Sequence, residues 1–152
     1  MKKKIGIMLA LVMMFSMFVP TLSFAAYGNT MPLSAKGTSD TVIYIKRPES
    51  HSASTSDRTY TISAVGAQGT AIKIYKYNSS SGICNLMKNT TYIGASGFFS
   101  TVVTLDEDSN IFMVYAQNSS GSQVTRIDIN KIRKSTVNRL KSVTVTMKNF
   151  LG

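Results

Sequence analysis

With one cysteine, one histidine, three prolines and no tryptophan in 152 residues, several function classes drop out at once. A lone cysteine, Cys84 in "SGICNLM", excludes an internal disulfide framework, so packing has to supply the stability. It reads either as a small buried apolar residue or as one half of an intermolecular disulfide. His51 lies in the polar stretch "ESHSASTSD", and no nucleophile, base and orienting group can be assembled around it, with or without Cys84. The chain is therefore read as non-catalytic. No metal-ligand cluster and no glycine-rich phosphate loop follows any strand-like run, so no metal and no cofactor is expected. Lacking Trp, the preferred stacking side chain, the chain favours glycans less than other partners. Acids are scarce as well, seven against seventeen Lys and Arg.

What is present begins with a processing segment. Lys2, Lys3 and Lys4 precede an apolar stretch from Ile5 to Phe18, and Ser23-Phe24-Ala25 sets small residues two apart before Ala26. That is the pattern of a secretory signal peptide over 1–25. A membrane anchor is the weaker reading, because Ser16 and Pro20 interrupt a run already short of the roughly 20 residues a span requires. The expected location is outside the cell, with association to the envelope. Setting aside the three leader lysines leaves fourteen basic against seven acidic residues, a charge of +7. Half of those bases, among them Arg126, Lys131, Arg133, Lys134, Arg139 and Lys141, fall in the last 27 residues, where Asp128 is the single acid. Lys131, Arg133, Lys134, Arg139 and Lys141 are the candidate contacts to an anionic polymer. An exported chain meets wall polymers and headgroups before nucleic acid, so nucleic acid is not expected as a partner.

The dominant pattern is a period of two. "TVIYIK" (41–46), "RTYTISAV" (58–65), "AIKIYKY" (71–77), "GFFSTVVTL" (97–105), "IFMVYAQ" (111–117) and "QVTRIDINKI" (123–132) are rich in β-branched and aromatic residues and are bounded by Gly, Pro, Asn, Asp or Ser. The less regular 83–93 predicts one short edge strand with loops. An all-β, two-sheet sandwich of about seven strands accommodates the inventory.

Ile45-x-x-Pro48, "YTISAVGAQGTAIKIY", Gly97-x-Phe99-Ser100-x-x-Val103-x-Leu105 and Asn110-x-Phe112-x-Val114-x-Ala116, in that order, resemble the bacterial immunoglobulin-like modules of secreted and surface proteins. The resemblance covers about 41–130. It implies a β-sandwich used for spacing, adhesion or ligand binding, and it implies no catalytic residues. The chain departs from the family at Ala64, where Gly is common, and over 78–93, which is longer than usual. The domain plan is then a leader over 1–25, a flexible segment over 26–40, the sandwich over 41–132 and a basic segment over 133–152.

Asp106, Asp108 and Asn110 alternate as in a calcium loop, but Ile111 stands where such a loop needs Gly, and Gln117 where it needs a bidentate Glu. The same residues suit a tight strand connection, because Asp and Asn side chains bond nearby amides. Following the family register, Ile43, Ile45, Tyr60, Ile62, Ile72, Ile74, Phe99, Val103, Leu105, Phe112, Val114, Ala116, Ile127 and Ile129 point into the core. Alternation then turns Lys73, Tyr75, Tyr77, Ile111, Met113 and Tyr115 outward, with Val124 and Arg126 adjoining. This set, with Arg126, is the candidate binding face: either the segment 136–151 covers it or it receives a partner. That segment carries apolar residues at helical spacing behind Ser135 and is read as a short C-terminal helix lying across the exposed sheet face, although Val143, Val145 and Met147 alternate as a strand would.

Two functions survive. One is a non-catalytic binding or structural module engaging a protein or an anionic envelope polymer. The other is a small secreted hydrolase or inhibitor whose site is not visible in sequence; a convergent polar pocket beneath the loops would favour it.

Overall fold

The computed structural model describes residues 27–133 and 135–139; residues 1–26, Lys134 and 140–152 lie outside the described residues. Among the described residues nine strands follow in order: β1 (Thr30–Pro32), β2 (Ile43–Arg47), β3 (Ser52–Thr55), β4 (Thr59–Gly66), β5 (Ala71–Asn78), β6 (Ile83–Tyr92), β7 (Phe98–Thr104), β8 (Ser109–Asn118) and β9 (Gly121–Lys131). They build a six-stranded sheet, β1-β6-β5-β8-β9-β3, packed on a three-stranded sheet, β2-β4-β7. The protein is an all-β sandwich, as the period of two requires.

Local chemistry sets the turns. Between β8 and β9, Asn118 Oδ1 accepts the Ser120 amide at 2.8 Å, and Gly121 adopts φ 141. Between β5 and β6, Asn78 Oδ1 accepts the amides of Ser80 and Ser81, and Gly82 takes φ 69. A side chain that mimics a backbone acceptor, followed by a glycine free to enter positive φ, is the least costly way to reverse a strand.

One crossing joins the layers early. The chain leaves β2 in the small sheet, turns through Pro48–His51, where His51 N–H donates to the Pro48 carbonyl at 3.2 Å, and enters β3 in the large sheet. His51 holds φ 58, the left-handed conformation. β3 runs parallel to β9, in a stretch whose polarity predicts a loop.

The inner faces carry the main core. Ile43, Ile45, Ile62, Ile72, Ile74, Phe99, Val103, Leu105, Phe112, Val114, Ala116, Ile127 and Ile129 are buried in one cluster, with Tyr60 partly buried against it. Every residue expected to point inward does so. Fully burying side chains of this size is worth about 1.5–3 kcal/mol each, so this layer carries the fold.

Two expectations need correction. The stretch 83–93 is no short edge strand with loops: β6 runs for ten residues, paired with β5 on one side and β1 on the other. Of the segment 26–40, expected to be flexible, residues 27–40 are built into the molecule. Within it β1 pairs with β6, and Met31 is 1% exposed.

Candidate functional site

Lys73, Tyr75, Tyr77, Ile111, Met113 and Tyr115 do lie on the outer face of the large sheet, in the expected register. Tyr75 pairs with Met113, Lys73 with Tyr115, and Met113 with Arg126 across adjacent strands. The face is not bare, and what covers it over the described residues is not the C-terminal segment. Tyr75, Met113 and Tyr115 are buried with Cys84 and Met31 in a second cluster, closed by Tyr27, Leu33 and Ala35. Lys73, Tyr77 and Ile111 are half-buried, and Arg126 is exposed at the margin, where its Nε donates to Asp128 at 2.9 Å. Cys84 is thus a buried free thiol; burial pushes its pKa up.

The cover is a strap made of residues 27–39. At its start the Tyr27 carbonyl accepts both Lys73 Nζ at 2.7 Å and the Tyr75 hydroxyl at 2.9 Å, and the Gly28 carbonyl accepts Tyr75 as well. The Tyr27 ring stands edge-on to Tyr115. β1 then extends the sheet edge, setting Met31 opposite Cys84. At the exit the amides of Thr38 and Ser39 both donate to the Ser122 carbonyl, at 2.7 and 2.9 Å. Next comes β2, whose Ile43 amide donates to the buried Gln123 Oε1 at 2.9 Å, tying one sheet to the other. Burial pushes the Tyr75 phenol up to about 12, reinforced by Tyr115 and Tyr27. Tyr115 rises for the same reason, partly opposed by a hydrogen bond with Ser122. The strap has a legible signal in hindsight: Tyr27, Met31, Leu33 and Ala35 sit at every second position apart from Asn29.

Of the basic candidates, Lys131 Nζ donates to the Leu105 carbonyl at 2.8 Å, and Arg133 pairs with Asp108 at 3.1 Å. Arg139 lies in a helical turn over 135–139, at the start of the segment whose helical and strand periods conflict. Lys134 and Lys141 lie outside the described residues.

The acidic knot is a turn. Asn110 is buried, its Nδ2 donates to the Glu107 carbonyl at 2.6 Å, and its Oδ1 accepts the Glu107 amide at 3.4 Å. Asp106 pairs with Lys76 at 2.7 Å, and the Lys76 ammonium holds the Asp106 carboxyl below its usual range. An open hollow of about 560 Å³ beside that pair is lined by Lys76, Tyr77, Asn85, Leu86 and Glu107 among others.

A row of outward apolar side chains lies on the other sheet. Tyr44 pairs with Val65, and Val65 with Phe98, so the three side chains form one row across β2, β4 and β7. Tyr44 is 62% and Phe98 51% exposed, with Val102, 52% exposed, further along β7. Lys46 sits over the Tyr44 ring at 4.7 Å, a cation held on a π face. A shallow groove of about 470 Å³, lined by Asp40, Thr41, Tyr44, Val65, Asn118 and Ser120 among others, opens at the end of this row. The alternation that places Ile43 and Ile45 inside also turns Tyr44 out, so this row was readable in the sequence and was missed. Among the described residues no group of three or more His, Cys, Asp or Glu side chains is placed to hold a metal, and no helix is long and apolar enough to cross a membrane.

No family model and no curated protein matches the chain. Among solved structures, it is similar to the crystal structure of an engineered protein, at 10% identity and a TM-score of 0.43, over 60% of this chain and 20% of that one.

Proposed function

We propose that the chain is a non-catalytic immunoglobulin-like module, exported from a bacterial cell, that binds an anionic polymer or a protein at the envelope. The immunoglobulin reading is supported by the strand order. β2, β4 and β7 face β6-β5-β8-β9, and the first long strand of the sandwich continues into a short strand parallel to the last.

One observation carries the binding reading: with the aromatic face of the large sheet sealed by its own strap, the row Tyr44–Val65–Phe98 remains open on the small sheet. Apolar rows left in water on a folded domain mark places where something binds. Strands β2, β4 and β7 contain no Asp or Glu, while Lys46 and Arg47 stand on β2 beside the row, which suits a partner of negative charge.

The test is retention of the protein on isolated cell envelopes at low and at raised salt. Tyr44→Ser with Phe98→Ser should abolish retention with the melting temperature preserved, and Lys46→Glu should weaken it most at low salt. Equal retention of all variants would refute this face as the binding surface.

A further inference from the structure

Among the described residues, every strand edge of this sandwich carries a blunting feature except one. A free edge offers unpaired N–H and C=O groups to any strand that approaches, and natural sheets blunt such edges with charge, proline, bulges or brevity. In the large sheet, β1 is three residues long and contains Pro32, and β3 is four residues long. The part of β6 that β1 leaves open carries Lys88, and the β5–β6 register shifts beside it. In the small sheet, β2 carries Lys46 and Arg47 with a register shift between Ile45 and Arg47. β7, the opposite edge of the same sheet, is seven residues, FFSTVVT, with no charge, no proline and no register shift against β4.

The hydrogen-bond phase of this strand follows from its ends. Gly66 N–H donates to the Gly97 carbonyl at 3.0 Å and Leu105 N–H to the Arg58 carbonyl at 2.8 Å, in the register that pairs Val65 with Phe98 and Thr59 with Thr104. Antiparallel partners alternate between pairs that exchange hydrogen bonds and pairs that do not. Phe99, Thr101 and Val103 therefore direct their backbone groups to β4. Phe98, Ser100, Val102 and Thr104 direct theirs to the open edge, and the same four side chains are exposed.

We propose that β7 pairs antiparallel with β7 of a second copy about a two-fold axis at Thr101, joining two three-stranded sheets into one of six. This register sets Phe98 opposite Thr104 of the other copy and Ser100 opposite Val102. It engages all four outward-facing residues at once, where a shift of two residues in either direction engages three. Charge argues for self-pairing here rather than elsewhere. In a chain of formal net charge +10, β7 is a seven-residue edge that brings no like charges opposite one another. With one such edge per copy among the described residues, assembly closes at two. The inference rests on the backbone of β7 and does not depend on the envelope-binding reading.

Sedimentation of the purified protein, expressed from the full chain and without added ligand, tests it. The protein should sediment as a concentration-dependent dimer. Ser100→Lys with Val102→Lys, which sets ammonium against ammonium in both central pairs, should give a monomer, and so should Ser100→Glu with Val102→Glu. An equal mixture of the two should restore the dimer. Both positions face solvent, and far-ultraviolet circular dichroism checks that the variants fold. As a second measurement, Thr101→Cys on the axis should form a covalent dimer under oxidising conditions, since residues in a non-hydrogen-bonded pair approach closely. A monomer at every concentration, an assembly larger than two, a dimer indifferent to both variants, a mixture that stays monomeric or a Thr101→Cys protein that does not cross-link would each overturn the proposal.

Discussion

The rings of Tyr27 and Tyr115 meet edge to face, with centroids 5.5 Å apart and planes at 89°. This contact brings the first described residue of the chain onto the centre of the large sheet. Residue 27 is far in sequence from β8, and the strap between it and β2 turns an aromatic surface into a second core.

Removing the strap's anchor should therefore behave as a core mutation. Met31 is 1% exposed, and Met31→Ala should cost about 2–5 kcal/mol in urea denaturation. Tyr27→Ala removes the aromatic pair, worth about 0.5–1.5 kcal/mol beyond its buried area. Both should increase binding of a hydrophobic dye. Wild-type stability in Met31→Ala would mean that the strap does not hold the sheet.

Cys84, opposite Met31, reports the same event kinetically. A thiol that is 0% exposed and raised in pKa should react with a thiol reagent only when the strap lifts. Labelling in native buffer should be slow, faster in Met31→Ala, and fastest in denaturant. Native labelling at the denatured rate would contradict the burial.

Gly37 marks where the strap leaves the sheet. A Cβ there would fall 2.2 Å from the Ser122 carbonyl oxygen, which is backbone and cannot step aside. Gly37→Ala should cost about 1–3 kcal/mol by thermal melting and weaken the Thr38 and Ser39 bonds to Ser122.

Stability should fall in strong base. The folded state holds the Tyr75 proton up to about 12, against 10.0 for the free phenol. Between these values the unfolded chain binds fewer protons than the folded one, so stability is intact below pH 10 and is lost as pH rises through the window. Tyr115 adds to the slope in the same direction. Denaturant midpoints across that range should show the decline, and Tyr75→Phe should flatten it.

The acidic turn separates a buried amide from exposed carboxylates. Asn110→Ala strips Glu107 of both its local partners and should cost about 1–3 kcal/mol. Asp106→Asn, which breaks a bridge whose carboxylate is 67% exposed, should cost less than about 1 kcal/mol. Because the Asp106 carboxyl is held low, its small contribution is present at neutral pH and disappears as pH falls through the acid range.

The inward set was legible because alternation is local. Ile72, Ile74, Phe112 and Val114 declare a face by their spacing, and a strand with one buried face cannot slip by one residue without turning every one of them out. The turn at Asn110 was legible for a similar reason, since its bonds reach three residues back. β3 was not, because Ser52–Thr55 is polar and becomes a strand only by pairing with the edge of β9. β6 was underestimated because its register shifts against β5 disturb the alternation that identifies a strand.

The sequence by itself determined the all-β class, the positions of β2, β4, β5, β7, β8 and β9, and the side of the sheet on which Tyr75, Met113 and Tyr115 stand. Tertiary structure alone decided what lies over them. The period of two assigns a face but says nothing of which distant segment reaches it, and both ends of the chain carry apolar residues at plausible spacing. The described cover is the N-terminal strap, because β1 finds hydrogen-bonding partners on β6 while Tyr27 offers its carbonyl to Lys73 and Tyr75. The same is true of the edges: FFSTVVT reads as a strand anywhere, and only the order β2-β4-β7 leaves its outer backbone without a neighbouring strand among the described residues.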